Sequence, residues 1–249
     1  ALLDTLGARD CAYVYDAATV ASQARILRTM RSVARAFYAI KANPHPALLN
    51  AVAEADLGFE CVSRAEVERV LEAVPGIARE RLLFTPNFAP RTEYRWALET
   101  GLCVTVDNLE VLRWWTGLFA GREILLRLDT GHGHGHHEKV RTAGLHSKFG
   151  VPPEEFDELP QVVAAAGATV IGLHAHGGSG HFEIASWVDA AQILAGVAGQ
   201  FPAARVLNLG GGFGVPERPG QPERAAEPTH RARLRLGQPL AVDLDGLPG

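Results

Sequence analysis

The chain has 249 residues, 47% hydrophobic and 21% charged, enough to bury the core of one large domain. Its net charge of −4, from 24 basic and 28 acidic residues without a Lys/Arg cluster, argues against nucleic acid as a partner. No apolar stretch reaches membrane-spanning length and no signal-peptide pattern opens the chain, so a cytoplasmic location without membrane contact is expected.

Strand-like apolar runs recur at 11–15, 36–40, 58–62, 82–84, 102–106, 123–128, 169–174 and 205–209, with helix-period segments between them. The first helix is expected over 17–34, with Val20, Ala24 and Leu27 on one stripe and Asp16 placed to cap it. Ser63–Glu66 and Asp107–Glu110 have the form of capping boxes. A second long helix is expected over 184–198, carrying Trp187, Val188, Ala191 and Leu194 on its apolar face. Cys11, Cys61 and Cys103 stand outside any metal or disulfide spacing and read as buried free thiols in a reducing compartment. Strict alternation of strand and helix implies an α/β fold with a parallel sheet. With the leading 11–15 run set aside, seven strands remain, one short of a (β/α)8 barrel. A doubly wound open sheet is the competing architecture.

Lys41 closes the apolar run 36–40. Taking an ammonium out of water costs on the order of several kcal/mol unless it is paired or neutralised. A neutralised lysine is a nucleophilic amine suited to Schiff-base chemistry. The same position also suits a lysine that lays its stem along the sheet and keeps its charge in water. Gly210-Gly211-Gly212 follows the last strand, where backbone N–H groups can approach a phosphate, although tight turns want the same glycines. An amine and a phosphate cradle together suggest a phosphorylated aldehyde cofactor.

His174 and His176 share one face of their strand by alternation. Three roles are open: metal ligands, hydrogen-bonded core residues, or one ring stacked on a flat cofactor while Ser179 donates to its phosphate. No acidic or cysteine third ligand stands at a suitable spacing, so no metal is expected. The run Gly131–His137 reads as a glycine-interrupted mobile loop with incidental affinity for divalent metals. Arg127 is either a structural ion-pair partner of Glu60 or a group that orients a histidine or an acid.

Tyr38–Asn43, Gly58–Ser63, Arg127, Lys148-Phe149-Gly150, His174–Ser179 and Gly210–Gly214 stand in an order that resembles one family. That family is the pyridoxal-phosphate-dependent decarboxylases of ornithine, arginine and diaminopimelate. The resemblance spans roughly residues 11–217. It is strongest to the diaminopimelate decarboxylase branch, including the decarboxylase half of bifunctional aspartokinase–decarboxylases. It implies an alanine-racemase-like (β/α)8 TIM-type barrel and pyridoxal 5'-phosphate as cofactor. Lys41 would hold the cofactor covalently and His176 would stack on its pyridine ring, these two being the catalytic residues. Ser179 with Gly210, Gly211 and Gly212 would grip the phosphate. Glu60, where the family usually carries aspartate, and Arg127 complete the cofactor-binding set, and Glu66 falls on a further acidic position. The implied reaction is decarboxylation of an amino-acid substrate, yielding L-lysine from meso-diaminopimelate. A non-catalytic cofactor-binding protein of the same superfamily is the alternative.

The resemblance also sets expectations for what this chain lacks. The family's Glu-Pro-Gly-Arg motif on the last barrel strand is not found, since Glu227-Pro228 is followed by Thr229. No cysteine follows Cys103 and no tyrosine follows Tyr94, whereas the family's C-terminal β-domain supplies both. Residues 1–217 are therefore expected to form an incomplete barrel, and the Pro/Arg-rich 218–249 a divergent, poorly ordered tail, truncated or frameshifted near residue 220. Two open sheet edges and a family-like homodimer with part of its contacts missing would follow.

Overall fold

The computed structural model describes residues 12–30, 33–131, 148–180 and 184–214. The expected tail, the His132–His137 run and Cys11 lie outside them. The strands are β1 (Phe37–Ala39), β2 (Gly58–Cys61), β3 (Leu82–Phe84), β4 (Cys103–Val106), β5 (Glu123–Arg127), β6 (Thr169–His174) and β7 (Val206–Asn208). The helices are α1 (Ala17–Arg28), α2 (Pro46–Glu54), α3 (Arg64–Ala73), α4 (Arg91–Glu99), α5 (Leu109–Trp114), α6 (Thr116–Phe119), α7 (Leu159–Ala166) and α8 (Ala185–Ala198).

All seven strands lie in one sheet, every pairing is parallel, and spatial order equals chain order from β1 to β7. A doubly wound sheet reverses direction at a switch point. An order without reversal is that of a barrel wall, so the architecture is an α/β barrel of the TIM type. Among the described residues β1 and β7 do not pair with each other.

Parallel strands are covered on both faces, and the core divides accordingly. The larger cluster packs Phe59, Phe84, Val104, Leu126 and Leu173 beneath the helices, joined by Tyr94, Leu112 and Leu194 from those helices. The smaller cluster holds Leu83, Leu125, Ile171 and Val206, with Phe37 and Cys103 packed against it. Alternation along each strand assigns this second set to the inner face. Continued toward the C-terminal ends, the same face carries Glu60 and Arg127, and an irregularity in the β5–β6 register at Ile124/Leu125 brings His174 to it beside Arg127. An apolar floor thus lies below a polar rim.

The run expected at 11–15 is not a strand over its described residues. Tyr13, Val14 and Tyr15 are exposed, and an apolar run without a neighbouring strand has no ladder to join. Asp16 does cap α1, accepting from the backbone N–H of Ala18 at 3.0 Å and of Thr19 at 3.3 Å. The helix stops at Arg28, short of the expected 34.

Candidate functional site

The strand expected to run to residue 40 ends at Ala39, and Ile40–Ala42 form a 3-10 turn that lifts Lys41 off the sheet. Ile40 is fully buried and anchors the turn, while the Lys41 side chain is 56% exposed. Of the two sequence readings of Lys41, the fold provides the side chain that reaches water rather than the desolvated amine. Register places Ala39 beside Glu60, and Lys41 Nζ donates to Glu60 Oε2 at 2.8 Å. The turn supplies the carboxylate partner that a charged amine at a sheet end requires.

Ser63 caps α3, its Oγ accepting from Glu66 N at 3.3 Å, an interaction worth about 1 kcal/mol. Glu66 returns a bond, its Oε2 accepting from Val62 N at 2.7 Å. The cap forms as expected, but Glu66 reaches the N–H of Val62, one residue before the cap, rather than that of Ser63, and so pins the end of β2 next to Glu60. The second expected box does not form: the cap moves on by one residue, and the residue three further on is Val111, not an acid. Asn108 caps α5, accepting from Val111 N at 3.1 Å. Asp107 instead turns inward and is buried, its Oδ1 accepting from Asn108 Nδ2 at 3.1 Å and from the Tyr94 hydroxyl at 3.4 Å. Burial raises its carboxyl pKa, against the attraction of Arg127.

Arg127 ends β5 and is buried. It donates to Asn87 Oδ1 at 2.8 Å rather than pairing directly with Glu60. Its guanidinium lies 4.9 Å from the centroid of Phe149, a cation–π contact worth about 2 kcal/mol when desolvated. Phe149 reaches that position because the chain returns alongside β5: Val151 N donates to Arg127 O, and Asp129 N to Val151 O, both at 2.8 Å. Gly150 turns there at φ +81°, and a Cβ on it would sit 2.8 Å from Asp129 N. Burial lowers the pKa of Arg127, opposed by the charges of Asp107, Glu60 and Asp129.

His174 and His176 are not equivalent. β6 ends at His174, which stands beside Arg127 in register and is buried. Its Nδ1 bonds to the Asn208 carbonyl at 3.3 Å. Burial, then the positive charges of Arg127 and His176, push its pKa well below 6.5, so the ring is neutral near pH 7. His176 lies past the strand, half-buried, against the glycine turn. Gly210 has φ +68°, and a Cβ there would lie 2.7 Å from Ala175 O and 2.8 Å from His176 Nδ1. Gly211 faces open space within 4 Å. Gly210 N donates to Asn208 Oδ1 at 2.9 Å, while the N–H groups of Gly211 and Gly212 have no acceptor among the described residues. The Ser179 hydroxyl is exposed and likewise without a partner among them.

The structure thus places every sequence-derived site residue at the C-terminal edge of one sheet. Two contacts form directly, Lys41 with Glu60 and His176 with Gly210, whereas Arg127 and Glu60 influence each other only through their charges. Sequence reasoning missed Asn87, Asp107 and Asn208, which hold Arg127, the α5 entry and the glycine turn. For Asn208 a signal existed: Asn followed two residues later by Gly is the signature of an Asx-turn.

Comparison with known proteins gives a consistent result. A diaminopimelate decarboxylase of Streptomyces coelicolor is 32% identical over 94% of this chain and 54% of its own length. An ornithine decarboxylase of Leishmania donovani is 26% identical over 94% of the chain and 32% of its own. The chain spans about half the length of the curated diaminopimelate decarboxylases it matches. The crystal structure of Helicobacter pylori diaminopimelate decarboxylase complexed with L-lysine superposes with a TM-score of 0.81 at 22% identity, covering 98% of this chain and 64% of that one. The profile described as "Pyridoxal-dependent decarboxylase, pyridoxal binding domain" matches residues 17–241, and the chain belongs to that family.

Proposed function

We propose that this chain is the cofactor-holding barrel of a carboxy-lyase that converts meso-diaminopimelate to L-lysine. The observation that carries the reading is the opening of the Lys41 amine and the glycine turn on the same C-terminal sheet edge, in a chain whose relatives at 32–34% identity are named diaminopimelate decarboxylases. The residues present fit pyridoxal phosphate. Gly210 admits no Cβ, Gly211 borders open space, and two backbone N–H groups there have no acceptor among the described residues. Oriented N–H groups in such a turn form a concavity for an anion.

When bound, the cofactor supplies an electron sink for the pair left as carbon dioxide departs. Lys41 would supply the amine that holds it, and Glu60 fixes Nζ over the rim. Gly211, Gly212 and Ser179 would supply donors to the phosphate. His176, wedged by Gly210, presents its ring at the mouth. Arg127, held by Asn87 and Phe149, keeps a permanent positive charge beside the neutral His174.

The test is cofactor capture followed by turnover. The protein is incubated with pyridoxal phosphate and reduced with borohydride, and the modified residue is mapped by mass spectrometry. Release of carbon dioxide from meso-diaminopimelate and from ornithine is then compared. Modification at Lys41, its loss in Lys41→Ala, and preference for diaminopimelate are expected. Absence of modification refutes the reading. Capture without turnover favours a cofactor-binding role.

A further inference from the structure

Away from the rim, a shallow cavity of about 280 Å³ opens on the outer wall between α4 and α6. Arg91, Arg95, Glu99 and Arg122 contribute to it, with Gly117 and Leu118 along the α6 side. The geometry follows from the sequence of α4. Tyr94, Ala97 and Leu98 face the core, which turns Arg91, Arg95 and Glu99, spaced four apart, to the outside along one stripe. Arg122 faces them from the turn that leads into β5.

None of these three guanidinium groups has a hydrogen-bond or ion-pair partner among the described residues. Elsewhere on the surface exposed arginines either pair with a carboxylate or, like Arg25, Arg69 and Arg79, lack a partner among the described residues without sharing a cavity with other arginines. Arg28 pairs with Asp56, Arg64 with Glu68, Arg113 with Glu110 and Glu158, and Arg205 with Glu123. Three cations against the single carboxylate of Glu99 leave an uncompensated local charge of about +2 at neutral pH. On a chain of net charge −4 such a concentration makes a locally positive patch that attracts anions. The guanidinium fork matches phosphate oxygens in pairs, and the cavity lies just below the usual range of roughly 300–1,000 Å³ for larger ligands.

We propose that the Arg91–Arg95–Arg122 cavity is a second, peripheral site for a compact phosphate-type anion, separate from the glycine turn.

Inorganic pyrophosphate, glycerol phosphate and citrate are titrated calorimetrically at low salt into protein treated with pyridoxal phosphate and borohydride and then dialysed free of the excess, so that no free phosphate monoester competes for the cavity. Saturable binding of pyrophosphate near one per chain is expected, weakening as salt is raised. Arg95→Ala combined with Arg122→Ala should weaken it roughly a hundredfold, about tenfold for each charge-assisted bond removed. Both positions are exposed, so the melting curve of the double variant should match the parent. Glu99→Gln should tighten binding. Glycerol phosphate binding at the same site extends the assignment to phosphate monoesters, and its failure beside pyrophosphate restricts it to the inorganic anion. Absence of saturable binding, undiminished affinity in the double variant, or citrate binding as tightly as pyrophosphate overturns the proposal. The double variant affects only this cavity, so the result is independent of whether the glycine turn takes up its cofactor.

Discussion

Gly210→Ala is the most demanding single change this fold offers, because two separate costs converge on one methyl group. The residue sits at φ +68°, where an L side chain costs roughly 1–2 kcal/mol. The new Cβ would also lie 2.7 Å from Ala175 O, 2.8 Å from His176 Nδ1 and 3.1 Å from His176 Cα. Two of those three neighbours are backbone atoms held by the β6–β7 ladder, and forced overpacking of this kind costs about 1–3 kcal/mol. The sum is roughly 2–5 kcal/mol, which for a domain of this size lowers the melting temperature by about 4–20 °C. Gly211→Ala is the internal control, since nothing lies within 4 Å of its Cβ, and its melting point should stay within about 2 °C of the parent. Thermal unfolding followed by circular dichroism reads both, and pyridoxal phosphate titration reads the turn, with Gly210→Ala losing most of its affinity. Indistinguishable melting curves for Gly210→Ala and the parent, or an equal loss in Gly211→Ala, would refute the steric account.

Two further outcomes follow from the electrostatics of the rim. His174 has a depressed pKa in the folded state, so the stability it contributes is complete above pH 6.5 and drains away as pH falls toward the depressed value, by up to about 1.4 kcal/mol per unit. His174→Gln keeps a donor for the Asn208 carbonyl and should flatten that slope in urea titrations between about pH 7 and pH 5; an unchanged slope assigns the dependence elsewhere. Glu60→Ala removes the partner of a side chain that is 56% exposed, so it should cost less than about 1 kcal/mol of stability. Borohydride trapping at Lys41 should nonetheless slow, and a variant that traps at the parental rate would show that Glu60 does not aim the amine.

Legibility from the sequence depended on how local each cause is. The seven strands and the helices between them were readable because each strand announces itself within a few residues and the helices carry their own period. Their arrangement was not: barrel and doubly wound sheets share the same alternation, and only the neighbour order β1 to β7 separates them. The run at 11–15 had strand composition, but a strand exists only with a partner. Asp107 and Asn108 are adjacent and chemically similar, and the choice of cap fell to Asn108 because Asp107 turns inward toward Tyr94 and the charge of Arg127. The Arg127–Glu60 pairing failed for a related reason. Nζ of Lys41 occupies Glu60, and Asn87 takes up the guanidinium. Such allocations are settled by three-dimensional proximity among residues far apart in the chain.

Asn208 has a wider consequence. Its carbonyl accepts from Ala175 N at 2.9 Å and meets His174 Nδ1 at 3.3 Å, while its side chain holds Gly210 N at 2.9 Å. One amide residue therefore clamps the segment after β6 and the turn after β7 into a single jaw. A partner entering that jaw does not spend its interaction energy on freezing two independent segments. The spacing between an imidazole face and a ring of backbone donors is set when the sheet forms, before anything arrives to occupy it.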